Sequence, residues 1–407
     1  MANGKDPTTD IQIRDLNRAA RDALAAGRPG EAARLLRQAV ALDPGVLSLW
    51  LNYAGALRQA NDFDGAQEAV NAALRLEPRD FNALMLRASL LDRPGHEIEA
   101  ARAYGNALLF KPAVPAGTPL ATAVERAERV YQDYLASFAE AVDAAVAAVV
   151  PEPLTAAETG GANALRFGRI TSGRARIFHP EPNQYYYPGL PSQEFYERRL
   201  FPWIEAFEAA TDDIREELEQ ALTVHRDRFV PYVNEDDTLP LDQWKDLNGS
   251  ADWSTLHLIA HGQVAPDAEI FFPRTLSALA LAPQPSVPGR SPSAMFSALK
   301  PRTRIPPHVG VSNARLVLHL PLIVPENCGF RVGSETRSWK VGTAWVFDDT
   351  IEHEAWNDSD ALRVILIADI WNVFMTDLDR QVYARVVEGI DRFHGAGAGV
   401  AGGGFGL

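Results

Sequence analysis

The stretch IPPHVGVSNARLVLHLPLIVP, residues 305–325, decides how the C-terminal half of the chain folds. From Arg315 onward it alternates. Arg315, Val317 and His319 fall on one face of an extended strand, and Leu316, Leu318 and Leu320 on the other. The leucine face belongs in a core. The opposite face carries a guanidinium and an imidazole in mid-strand, which is sensible only if that face lines a polar pocket. A second stretch, FDDTIEHEAWNDSDALRVILIADIW (347–371), repeats the pattern with His353 and Arg363.

The same texture extends around both stretches. STLHLIAH, SAMFSALK, GFRV and TAWVF are short strand-like runs from about residue 253 onward, divided by turn residues. Helices are expected only around 273–280 and 376–391. Closely spaced short strands predict a jelly-roll, or double-stranded β-helix, over 253–393. Two imidazoles from different strands, with two arginines nearby, suggest Fe(II) and a dicarboxylate cosubstrate. Buried guanidinium groups favour a bidentate anion. The common non-haem iron site adds a carboxylate to two histidines. Where that carboxylate follows the first histidine by two residues, this chain has Gly310.

The N-terminal part reads differently. Pro44, Pro78 and Pro112 recur every 34 residues, each closing a similar phrase: ALDP, RLEP and LFKP. Ala32, Ala66 and Ala100 keep that period, as do Ala39, Ala73 and Ala107. Small residues let paired helices approach, and proline ends each pair. Residues 11–112 therefore resemble three tetratricopeptide repeats, preceded by a flexible stretch, 1–10. Such arrays stack in one dimension and present a groove, here expected to receive a peptide or protein. The helix predicted at 119–150 caps the array, with 113–155 as cap and linker and Pro151 and Pro153 marking a boundary.

Residues 156–252 are expected to connect the two parts and pack on the second. Tyr185, Tyr186 and Tyr187 read as packing groups, and Thr211 as the N-cap of a helix with Asp212 and Asp213 in its first turn. The glycine-rich end, 394–407, reads as a disordered tail. The fold class is multidomain α + β, an α-helical solenoid followed by a double-stranded β-helix. The formal charge of −14 and the lack of a basic run argue against nucleic acid. No run is long and apolar enough for a membrane span. The first residues lack a signal-peptide core, and Cys328 is a single cysteine, so the expected location is cytoplasmic.

The segments HVGVSNARLVLHLPLIVP, CGFRVGSETRSW and GTAWVFDDTIEHEAWNDSDALRVILIADIW, taken together, resemble the aspartyl/asparaginyl β-hydroxylase family of 2-oxoglutarate-dependent oxygenases. The resemblance is strong over 293–373 and loose over 185–292. That family pairs the fold with tetratricopeptide repeats and binds iron through two histidines alone, which accounts for Gly310. The resemblance implies His308 and His353 as the catalytic iron ligands, and His319 and Arg363 at the two ends of 2-oxoglutarate. It places Ser297 hydrogen-bonding nearby and requires O2. Where the better-known animal members carry a second arginine, this chain has Val317, leaving Arg315 on the same face to hold cosubstrate or substrate. It also implies β-hydroxylation of Asp or Asn in a recruited polypeptide, with release of succinate and CO2. The alternatives are a non-catalytic scaffold that senses iron or 2-oxoglutarate, and a hydroxylase of free or carrier-tethered aspartate. His257 and His261 depart from the family's substrate-facing strand.

Overall fold

A computed structural model describes residues 7–149, 162–235 and 242–394. The chain divides into two compact units, 1–144 and 145–407. Pro151, Pro153 and nearly all of the glycine-rich tail lie outside the described residues, as do the first six residues.

Unit one is helical. It contains α1 (Pro7–Ala25), α2 (Pro29–Leu42), α3 (Leu47–Gln59), α4 (Phe63–Leu76), α5 (Phe81–Leu91), α6 (Glu97–Leu108) and α7 (Pro119–Ala147), which runs just past the division. The first six form three antiparallel pairs. Helix α1 begins at Pro7, so the four described residues expected to be a flexible lead-in are helical instead. The periodic alanines are all but fully buried, because each sits where two helices meet. Asp62 and Asp80 cap α4 and α5, accepting the amides of Gly65 and Ala83 at 2.9 and 2.8 Å. Helix α7 covers the last pair: Val124 and Ala127 share a core with Tyr104 and Ala107.

Unit two holds α8 (Ala162–Thr171), α9 (Ile204–Ala209), α10 (Thr211–Val224), α11 (Ala268–Phe271), α12 (Pro273–Leu279) and α13 (Asp377–His394). Its strands are β1 (Val230–Pro231), β2 (Trp253–Ala260), β3 (Gln263–Val264), β4 (Ala294–Leu299), β5 (Thr303–His308), β6 (Arg315–Ile323), β7 (Cys328–Val332), β8 (Glu335–Ser338), β9 (Trp345–Phe347), β10 (His353–Asn357) and β11 (Arg363–Trp371). They form two antiparallel sheets. One runs β1-β2-β4-β11-β6-β9, with β3 on β2; the other runs β5-β10-β7-β8.

The alternation of β6 and β11 organises both cores. Leu316, Leu318 and Leu320, with Val364, Leu366 and Ile370, pack against Phe207, Ile214, Leu218 and Leu279 of the covering helices. Val317, Ile365 and Ile367 face the other way and meet Phe330, Val332 and Ala355 of the second sheet. Arg315, His319, Arg363 and Asp369 share that inward parity. The segment before residue 253 supplies part of this core through Phe201, Ile204 and Phe207, and its β1 pairs with β2. The sheet domain therefore starts upstream of residue 253. Tyr185 and Tyr187 pack with Trp371 and Met375, while Tyr186 is exposed. Thr211 is the first residue of α10 rather than its cap, and its hydroxyl donates to the Glu208 carbonyl at 2.6 Å.

The cap of the repeat array depends on one glycine. A Cβ at Gly105 of α6 would lie 2.4 Å from the Tyr131 ring on α7. Gly105→Ala therefore lowers the melting temperature of the protein by overpacking, typically about 1–3 kcal/mol, against the ~1 kcal/mol that alanine adds in a free helix. A thermal scan reads the balance, and an unchanged or raised midpoint would contradict this packing.

Candidate functional site

The two histidines come together because β5 and β10 pair in register at His308 and His353. Their ring centroids lie 4.0 Å apart with planes at 52°. Each ring is aimed by its own strand: Nδ1 of His308 meets the Pro306 carbonyl at 2.8 Å, and Nδ1 of His353 the Ile351 carbonyl at 3.1 Å. A carbonyl only accepts, so Nδ1 carries the hydrogen and Nε2 presents its lone pair. Burial depresses both groups, His353 to about 4 and His308 well below its usual value. Both are therefore neutral imidazoles at neutral pH, the form a metal requires.

They line a cavity of about 50 Å³ with Ser297, His319, Asp349 and Arg363. Arg363 is 1% exposed, and its Nε and Nη1 have no hydrogen-bond partner among the described residues. Its guanidinium faces the Trp339 ring at 5.4 Å, and burial pushes its pKa down to about 10. His319 stacks on the same indole at 5.4 Å and 26°, with Nδ1 unpartnered. Burial first, then Arg363, holds its pKa well below normal. Ser297 accepts Trp253 Nε1 at 3.1 Å, which leaves its own O–H to donate. A buried cation without a counter-charge beside two uncommitted polar groups fits an anion with more than one acceptor.

Five of the six site residues expected from the sequence thus share one cavity. Arg315 does not. Its guanidinium binds Asp369 and Asp349, the latter at 3.1 Å, and it lines the neighbouring, larger cavity instead. The adjacent Asp348 and Asp349 part company. Asp348 accepts the amide and hydroxyl of Thr350. Asp349 turns into the histidine cavity, and a Cβ at Gly310 would sit 2.0 Å from its Oδ2. The glycine makes room for that carboxylate. Glu352 and Glu354, on either side of His353, pair with Arg331. The aromatic wall was not foreseen: Trp244 meets His308 edge-on at 5.1 Å, and Tyr232 stacks on Trp253 at 3.8 Å. No sequence spacing links Trp244 or Tyr232 to the histidines.

Residues 208–373 match the family model described as Aspartyl/Asparaginyl beta-hydroxylase, and residues 23–90 match a tetratricopeptide repeat model. The chain carries an aspartyl/asparaginyl β-hydroxylase domain together with tetratricopeptide repeats. It is 31% identical to the human Aspartyl/asparaginyl beta-hydroxylase over 181 residues, 44% of this chain and 24% of that one. It is 34% identical to the Ornithine lipid ester-linked acyl 2-hydroxylase of Rhizobium tropici over 186 residues, 45% of this chain and 62% of that one. Human Aspartate beta-hydroxylase domain-containing protein 2 matches at 29% over 222 residues, 53% and 56% of the two chains. The chain thus spans less than two thirds of each relative. The β-hydroxylase match takes in both histidine-bearing strands, β5 and β10, and the arginine at the start of β11.

Protonation separates the histidines from the acids around them. The unfolded chain takes up protons on histidine near pH 6.5, whereas folded His353 resists until about pH 4. In that window the unfolded state holds more protons, so these histidines withdraw stability as pH falls. Asp348, raised by burial to about 7, acts in the opposite sense. The metal-free double variant His308→Gln/His353→Gln is therefore less acid-sensitive than wild type between pH 6.5 and 4, as measured by melting temperature across that range.

Proposed function

We propose that the chain is an Fe(II)- and 2-oxoglutarate-dependent dioxygenase that β-hydroxylates an Asp or Asn residue of a polypeptide received by the repeats. The observation that carries this reading is the coexistence, in one buried cavity, of two neutral imidazoles offering Nε2 and one guanidinium lacking an anion. The domain match supports hydroxylation. The order of the strands supports a double-stranded β-helix: from β4 to β11 the chain passes back and forth between sheets, giving β4-β11-β6-β9 against β5-β10-β7-β8.

His308 and His353 would hold the iron through Nε2. His319 and Arg363 would hold the carboxylates of 2-oxoglutarate, Arg363 taking the distal one, with Ser297 donating alongside. Iron with 2-oxoglutarate and O2 supplies oxidative hydroxylation of a C–H bond, with succinate and CO2 released. The protein's own part is positional. The Pro306 and Ile351 carbonyls fix both rings. The walls of Phe330, Phe347 and Trp339 keep the cavity dry, which strengthens each charge–dipole contact inside it.

Wild type is expected to form succinate and to add one oxygen to Asp or Asn in a peptide pool, read by mass spectrometry. His353→Ala forms neither. A protein that binds 2-oxoglutarate yet forms no succinate with any peptide would favour a sensing role. Arg363→Met gives a second, opposed signature. It abolishes 2-oxoglutarate binding by calorimetry, yet it raises the melting temperature of the ligand-free protein. An apolar chain there removes the desolvation penalty of a buried charge with no partner, on the order of several kcal/mol per ion.

A further inference from the structure

Beside the histidine cavity, within the same unit, lies a larger one of about 380 Å³. Tyr232 lines both, and the Arg315–Asp349 pair also bridges them, Arg315 facing the larger cavity and Asp349 the smaller. Two arginines face the larger cavity, and both are already paired. Arg290 binds Asp391 through Nε and Nη2. Arg315 is held between Asp349 and Asp369. Glu235 adds a carboxylate that pairs with no cation among the described residues. A carboxylate entering here would meet the Glu235 carboxylate and two guanidinium groups already paired with acids.

The neutral groups are in the reverse condition. Thr255 Oγ1 is 2% exposed and has no hydrogen-bond partner among the described residues, and the buried Oε1 of Gln184 has none among them either. Thr255 stands in mid-β2, two residues from Trp253 and in register with Ser297 on β4, so strand parity turns it inward with both. A buried hydroxyl or amide left unbonded costs roughly 1–3 kcal/mol. A ligand that bonds both removes that cost.

We propose that this cavity is the substrate chamber and that it selects an uncharged carboxamide, as on asparagine, over the carboxylate of aspartate. The inference rests on the hydroxylase reading above. A carboxamide both donates and accepts. Its N–H answers the Gln184 oxygen, and its C=O answers the Thr255 hydroxyl. An ionised carboxylate only accepts, so it leaves the Gln184 oxygen unbonded and meets the Glu235 carboxylate of the wall.

The test is calorimetric titration of the full-length protein, with zinc and 2-oxoglutarate present, using N-acetyl-L-asparagine methylamide and N-acetyl-L-aspartic acid methylamide at pH 7.5. The asparagine compound is expected to bind at least about tenfold more tightly, a difference of one hydrogen-bonded polar group. Gln184→Leu lowers its affinity by about the same factor and leaves that of the aspartate compound and of 2-oxoglutarate unchanged. If Gln184→Leu does not fold, Thr255→Val serves in its place, weakening both compounds and leaving 2-oxoglutarate binding unchanged. Equal or tighter binding of the aspartate compound overturns the proposal, as does failure of both compounds to bind. Failure of 2-oxoglutarate to bind in its own titration would instead remove the hydroxylase reading, while the two amino-acid titrations still report the chamber's preference.

Discussion

Two strands buried on both faces set the terms for everything else. β6 and β11 lie side by side in the larger sheet, with helices on one side and the second sheet on the other. A strand has only two faces, so every residue of β6 and β11 must suit one of two dry environments. A slip of one residue would drive Arg363 and His319 into the leucine layer and the leucines into the cavity. Register and site are therefore the same constraint. The hydrophobic layer under the helices holds the polar groups in place on the opposite side.

That constraint explains which parts were legible beforehand. Alternation reports parity directly, so β2, β4, β6 and β11 could be read from the sequence to within a residue or two. His319 and Arg363 came with them. The strands at the edges of the smaller sheet, β5 and β8, gave no such signal. β5 contains Pro306 and Pro307, which an edge tolerates because one row of its amides pairs with nothing. β8 is short and charged, as exposed edges are. The helical repeat was legible because its alanines recur at a fixed spacing and each marks a close contact.

What escaped the sequence were partnerships between distant residues. Arg315 has the same parity as His319, and parity alone cannot tell which of two adjoining cavities it enters or which acids claim it. The decision lies with Asp349 and Asp369, 34 and 54 residues away. Adjacent aspartates 348 and 349 look equivalent in the chain, yet one closes a turn and the other fills the space over Gly310. The residues before 253 appeared to be a connector because their apolar groups are spaced for helices. Their partners, the outer faces of β4, β6 and β11, are visible only after folding.

The anchoring of the paired imidazoles has an evolutionary corollary. Each ring is steered by a carbonyl two residues earlier in its own strand, not by an acid or amide reaching in from elsewhere. Main-chain oxygens are common to all amino acids, so substitution at Pro306 or Ile351 leaves the tether in kind. Drift in the surrounding side chains can then reshape the neighbouring chamber for new molecules without re-aiming the pair, and a lineage can change its diet while its chemistry stays put.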